Sequence, residues 1–98
     1  MVKKGYREEY WVKQQLQKKY GKDNVIKVAI GGLFDFIVVA PKQNRIAKIV
    51  EVKGCHKKNY TLQGRDKAQV SKIRKFCEKH TIPFELWIKY PGRLEVRE

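Results

Sequence analysis

Polar and apolar residues recur at helical intervals from Tyr6 to Tyr20. Tyr6, Tyr10 and Leu16 fall toward one side, and Glu8, Lys13, Gln14 and Lys18 toward the other. This pattern predicts a helix with one face on a core. Gly21 supplies the stop, because glycine tolerates positive φ. The segment NVIKVAI then has strand content, and Gly31-Gly32 bends the chain into LFDFIVVA. That second run is almost continuously apolar, which predicts a strand covered on both faces. Pro41 and Asn44 mark a turn before RIAKIVEVK, a third strand. Beyond Gly54 the chain becomes polar and basic through CHKKNYTLQGRDK, a loop that enters a helix near Asp66. Val70, Ile73, Phe76 and Cys77 recur on the buried face of that helix, and His80 and Thr81 lie near its end. Pro83 opens an extended segment: FELWIKY reads as a strand, Pro91-Gly92 as a turn and RLEVR as a short edge strand. The order is α-β-β-β-α-β-β, an α/β chain read as one domain over residues 1–98, with no internal repeat.

Three charged residues interrupt the apolar runs. Asp35 sits inside LFDFIVVA, and Glu51 and Lys53 close the next strand as IVEVK. Carboxylates in sheet segments are costly unless they are paired, hydrogen-bonded or bound to metal. Alternation places Asp35 on the side of Ile37 and Val39, and Glu51 on the side of Ile49 and Lys53. A hairpin through PKQN brings positions near 35 and 51 beside each other across adjacent strands. Magnesium takes hard oxygen ligands and retains waters, so Asp35, Glu51 and a backbone carbonyl near Val52 suit it. Manganese is the alternative ion. Such an ion lowers the pKa of an attacking water, and the Lys53 ammonium stabilises developing negative charge. An acid from the first helix would complete the site. Glu9 and Glu8 compete for that role, and a one-residue step turns the side chain by about 100°.

Composition narrows the partners. In 98 residues, 23 Lys and Arg against 10 Asp and Glu give a net charge of +13, which favours polyanions and above all nucleic acid. A ribosomal protein could show the same balance. A membrane-surface protein could too, but the basic residues are spread through the elements and not set opposite one apolar helix face. Lys3, Lys4 and Arg7 are candidates to guide a phosphate backbone toward the first helix, and Lys57, Lys58, Arg65 and Lys67 to form a mobile clamp after the third strand. Tyr60 is a candidate for base stacking or for anchoring that loop. Trp11 and Trp87 belong to elements expected to pack a core or a dimer surface. A chain this short has a small core, which association with a second copy would reinforce. No run reaches the roughly 20 apolar residues of a membrane span, and no signal-peptide run follows Met1. Cys55 and Cys77 form no CxxC pair and His56 and His80 complete no metal repeat. One disulfide is possible in principle, but two reduced cysteines in an intracellular protein is the preferred reading.

In the order of its elements, KGYREE, GGLFDFIVVA, IVEVKG and GRDKAQVSKIRKF, the chain resembles the PD-(D/E)xK nuclease superfamily, and more narrowly the archaeal Holliday junction resolvases. The resemblance covers most of the chain. It implies a mixed sheet flanked by helices, metal or catalytic roles for Glu9, Asp35, Glu51 and Lys53, and a polar active-site role for Gln69. It also implies a homodimer, because two paired active sites can make symmetric cuts in a four-way junction. Phe34 precedes Asp35 where the family often has Pro, so a literal PD motif is missing while the acid itself is present. The expected activity is magnesium-dependent, structure-selective DNA cleavage in recombination and repair, carried out in the cytoplasm or at the nucleoid. A nuclease for another DNA form, and a noncatalytic nucleic-acid-binding protein of nuclease-like fold, are the alternatives.

Overall fold

The computed structural model describes residues 6–28, 33–43 and 45–98. The elements run α1 (Tyr6–Tyr20), β1 (Val25–Lys27), β2 (Phe36–Ala40), β3 (Arg45–Gly54), α2 (Gly64–His80), β4 (Phe84–Tyr90) and β5 (Arg93–Arg97). Short 3-10 turns at Lys22–Asn24 and Pro41–Gln43 join α1 to β1 and β2 to β3. The observed order is therefore the expected α-β-β-β-α-β-β. The strands form one mixed sheet in the order β1-β2-β3-β4-β5. Among the described strands only β3 and β4 pair in parallel, because the α2 crossover carries the chain back to the starting end of β3.

Period-two alternation gives each sheet face its own helix. Phe36, Val38, Val50, Val52 and Trp87 meet Val12 and Leu16 of α1, with Trp11 packed at the margin. Ile49, Leu86, Ile88 and Tyr90 meet Val70, Ile73 and Cys77 of α2 on the other face. Both tryptophans thus serve the α1 side of the core. Ile37 and Val39 are only partly buried, so β2 is covered less completely on the α2 side than its apolar run suggests. Ile73 has no exposed surface, and removing one methylene there (Ile73→Val) is expected to cost about 1 kcal/mol, measurable as a lower urea midpoint at constant slope.

The helix faces differ from the sequence reading in two places. Tyr10 is 51% exposed and lies outside the core, because the inward stripe of α1 is Val12 and Leu16, one turn apart. The Tyr6 side chain lies outside the described residues. Phe76 is 37% exposed: Val70, Ile73 and Cys77 set the inward direction of α2, and Phe76 is turned away from it. Its ring meets those of Phe34 and His80, at centroid distances of 5.8 and 4.6 Å. Helix α2 begins at Gly64, two residues before Asp66, and ends at Thr81 in the left-handed region (φ 55°), where the Ile82 N–H returns to the Cys77 carbonyl at 2.9 Å. Gly21 follows α1 with φ 98°, a conformation nearly restricted to glycine. The continuation of NVIKVAI through Ala29 and Ile30, the Gly31-Gly32 bend and Asn44 lie outside the described residues.

Cys55 and Cys77 are free and buried. No helix among the described residues is long and apolar enough to cross a membrane.

Candidate active site

The β2–β3 hairpin sets the centre of the site. Phe36 pairs with Val50 and Ile37 with Ile49 in the antiparallel ladder, so continuing the register one residue brings Asp35 opposite Glu51, on the face that carries Ile37 and Ile49. Asp35 itself stands in a bend one residue before β2, which starts at Phe36 and not at Leu33, and its carbonyl accepts the Val28 N–H at 2.9 Å. Its side chain takes a ladder position, with Oδ2 accepting the Val52 N–H at 2.8 Å.

Glu51 is only 3% exposed, the one buried charged residue among those described. Its Oε2 lies 3.2 Å from Lys53 Nζ. Its Oε1 is buried with no hydrogen-bond partner. Burial and the neighbouring Asp35 charge push the Glu51 carboxyl up to about 8, although Lys53 pulls in the opposite direction. Burial also raises Asp35, opposed by the Val52 N–H and reinforced by the charge of Glu9. Burial first and the Asp35 charge second thus favour the protonated form of Glu51.

Lys53 is held from three directions: Gln69 Oε1 at 2.6 Å, Glu51 Oε2 at 3.2 Å and Asp66 Oδ1 at 3.3 Å. Gln69 in turn donates to the Leu33 carbonyl at 3.3 Å, tying α2 to the segment that precedes Asp35. Glu9 approaches from α1 and influences Asp35, but its Oε2 is engaged by Lys27 Nζ at 2.8 Å. That pair is half-exposed, with 44% and 30% of the two side chains accessible. Glu8, the competing acid, packs instead over Gly54, where the methyl group of an alanine would come within 2.9 Å of its carboxyl carbon.

Among the described residues no three His, Cys, Asp or Glu side chains are grouped so as to hold a metal ion together. The tight unit is the Asp35–Glu51 pair, with Glu9 at its border and turned to Lys27. A hard cation that keeps several waters needs only one or two protein carboxylates. Glu51 Oε1, buried and unpartnered, together with a carboxyl pair that needs a positive charge between its members, fits such an ion.

The basic candidates separate by position. Lys57 and Arg65 border one hollow of about 570 Å³ that begins at Gly54, directly after Lys53, and ends at Asp66. Lys58 and Lys67 are exposed but stand outside its lining, and Arg7 borders a second hollow with Trp11, His56 and Lys89. Lys3 and Lys4 lie outside the described residues. The loop expected to be a mobile clamp is tied to the sheet. Arg93 donates to the Lys58 carbonyl at 2.5 Å, Arg97 to the Tyr60 carbonyl at 2.7 Å, and the Tyr60 N–H to Tyr90 Oη at 2.9 Å. Tyr60 is accordingly an anchor, its hydroxyl bound to Asp66 Oδ2 at 2.5 Å. Sequence reasoning used Asp66 only to mark a helix start. The available signal was its spacing of three from Gln69, which puts both on one face of α2.

No family model, curated protein or solved structure matches this chain. The functional reading consequently stands on the geometry and the residue chemistry.

Proposed function

We propose that the protein is a magnesium-dependent DNA endonuclease selective for branched DNA, with the four-way Holliday junction as its substrate, in the manner of the archaeal resolvases within the PD-(D/E)xK superfamily. The observation that carries this reading is the carboxyl pair of half-buried Asp35 and buried Glu51, with one Glu51 oxygen unpartnered and Lys53 Nζ 3.2 Å from the other. A purely structural role would leave that arrangement uncompensated, since an unpaired buried polar atom costs about 1–3 kcal/mol. The charge of +13 supports a polyanionic substrate.

Asp35 and Glu51 would hold the ion, with Glu9 available to it after exchanging its exposed Lys27 partner, a pair worth at most about 1 kcal/mol. When bound, magnesium supplies the charge that lowers the pKa of an attacking water and offsets that of the phosphodiester. The Val52 N–H keeps Asp35 turned inward. Lys53, steadied by Gln69, presents its ammonium to the charge that develops on the phosphate oxygens. Lys57 and Arg65, along the adjacent hollow, would position the phosphate backbone, and Arg7 would extend that surface on the other side of His56. Two copies would supply the two cuts, and the site of action would be wherever recombining or damaged DNA lies, the cytoplasm or the nucleoid.

The test is a cleavage-product map on an end-labelled junction with immobile arms, beside flap and linear duplex controls. Paired nicks at symmetric positions near the branch point, present with magnesium and lost without it, are expected. Cuts confined to flap or duplex would reassign the substrate. Tight binding with no incision in magnesium or manganese would favour a noncatalytic DNA-binding protein.

A further inference from the structure

The geometry points to Asp66, seated by Tyr60, as the residue that positions the Lys53 ammonium for its work. The catalytic part of this inference rests on the nuclease reading above, whereas the anchoring part does not. Lys53 Nζ has two carboxyl neighbours, Glu51 at 3.2 Å and Asp66 at 3.3 Å. Glu51 cannot serve as its lasting counter-ion if the same carboxyl is to face a cation. Asp66 comes from a different element, in the first turn of α2, where the helix dipole favours negative charge. With Gln69 one turn further along, α2 offers two oxygens to one ammonium.

Asp66 Oδ1 faces Lys53, and its Oδ2 accepts from the Tyr60 hydroxyl. The Tyr60 proton is firmly held, because burial and the Asp66 carboxylate raise that hydroxyl above the ordinary tyrosine range. Tyr60 is fixed in its turn by the edge of the sheet at β4 and β5. Tyr90 Oη accepts its N–H while donating to Glu95 Oε1 at 2.8 Å, and Arg97, paired with Glu95, donates to its carbonyl. The orientation of Lys53 is thus set through Asp66 and Tyr60 from the edge strand β5. A displacement of about 1 Å at a reacting group can cost on the order of a hundredfold in rate, which gives such a chain of contacts a purpose. Asp66 and Tyr60 are positioning residues in this scheme and touch no reacting atom.

Two variants, Asp66→Asn and Tyr60→Phe, test the inference with two readouts. The first is the side-chain ¹⁵N–¹H signal of Lys53 in the metal-free protein, whose exchange with water reports how firmly the ammonium is held. Asp66→Asn is expected to speed exchange by roughly fivefold or more and Tyr60→Phe by about twofold, as expected for loss of a charge-assisted and of a supporting hydrogen bond. The second is single-turnover junction incision, expected to fall about tenfold in Asp66→Asn and a few-fold in Tyr60→Phe, with junction affinity within about twofold of the parent. If Asp66→Asn does not fold, Tyr60→Phe carries both readouts. Unchanged ammonium exchange overturns the anchoring. A loosened ammonium with an unchanged incision rate overturns its catalytic importance. Should the parent protein cut no DNA, the nuclease reading fails by itself, and the exchange measurement still decides whether Asp66 holds Lys53.

Discussion

Glu51→Gln is expected to reduce magnesium-dependent incision of a four-way junction by about a thousandfold, equal to about 4 kcal/mol of transition-state stabilisation at 1.36 kcal/mol per decade. Glutamine keeps the shape of the side chain and removes its capacity to carry charge. Junction binding should stay within about threefold, because the phosphate contacts proposed for Lys57, Arg65 and Arg7 are untouched. The folded state should not suffer either. Glu51 stands beside Asp35 with one oxygen unpartnered, and a neutral amide there relieves the repulsion and can donate to Asp35. At pH 8.5 the variant is therefore expected to melt at or above the parent temperature. Gel assays of labelled junctions and thermal melts on the same preparations check both halves. Incision by the folded variant at the parent rate would remove Glu51 from the chemistry.

The second large effect concerns pH and metal. In the folded chain the Glu51 carboxyl lies at about 8 against an ordinary value of 4.5, and Asp35 is shifted in the same direction. Between those limits the folded state binds a proton that the unfolded chain has released, so stability falls as pH rises. The loss begins above the unfolded value, runs through the window up to about 8 and levels off beyond it. Each pH unit inside the window costs up to about 1.4 kcal/mol, making the total on the order of 4–5 kcal/mol. For a domain of this size that is a drop in Tm of about 15–35 °C. Metal-free protein melted at pH 5 and at pH 8.5 should show it, and Glu51→Gln, with the same surface charges, should show much less. Magnesium at pH 8.5 should restore stability to the parent by about 2.7 kcal/mol at a hundred times its Kd. A parent whose Tm is flat across this range, or insensitive to magnesium at the upper end, would contradict the carboxyl-pair account.

Much of this architecture was legible because local signals agreed. FELWIKY, closed by Pro83 before it and Pro91-Gly92 after it, is β4 to the residue, and Gly21 ends α1 where expected. The Asp35–Glu51 pairing followed from period-two alternation and a hairpin, both short-range. Helix faces were less accessible. An aromatic ring suggests burial, yet in α1 the Val12–Leu16 stripe wins because it fits against Phe36 and Val50, leaving the Tyr10 phenol to water. Asp66 and Tyr60 could not be read as part of the site. The Asp66 contact with Lys53 and the Tyr60 contact with Asp66 depend on how a nine-residue loop, Cys55–Gln63, lies against β4 and β5, and tertiary hydrogen bonds of that kind leave no periodic trace in a sequence.

Ala47 sets the phase of the hairpin. The ladder passes from Val38 opposite Lys48 to Val39 opposite Ile46, leaving Ala47 as an extra residue in β3. As a result Ile46 and Ile49, three apart, both face α2. With the bulge kept, removing a single residue between the turn and Glu51 would exchange the two faces of the strand, sending Glu51 toward Val12 and Leu16 and bringing Val50 or Val52 to Asp35. A change of two residues in the turn would leave the faces as they are. Parity, and not the number of residues separating the two acids, is what descent with modification must preserve here: even steps in hairpin length are silent, and an odd step must be absorbed by the gain or loss of a bulge.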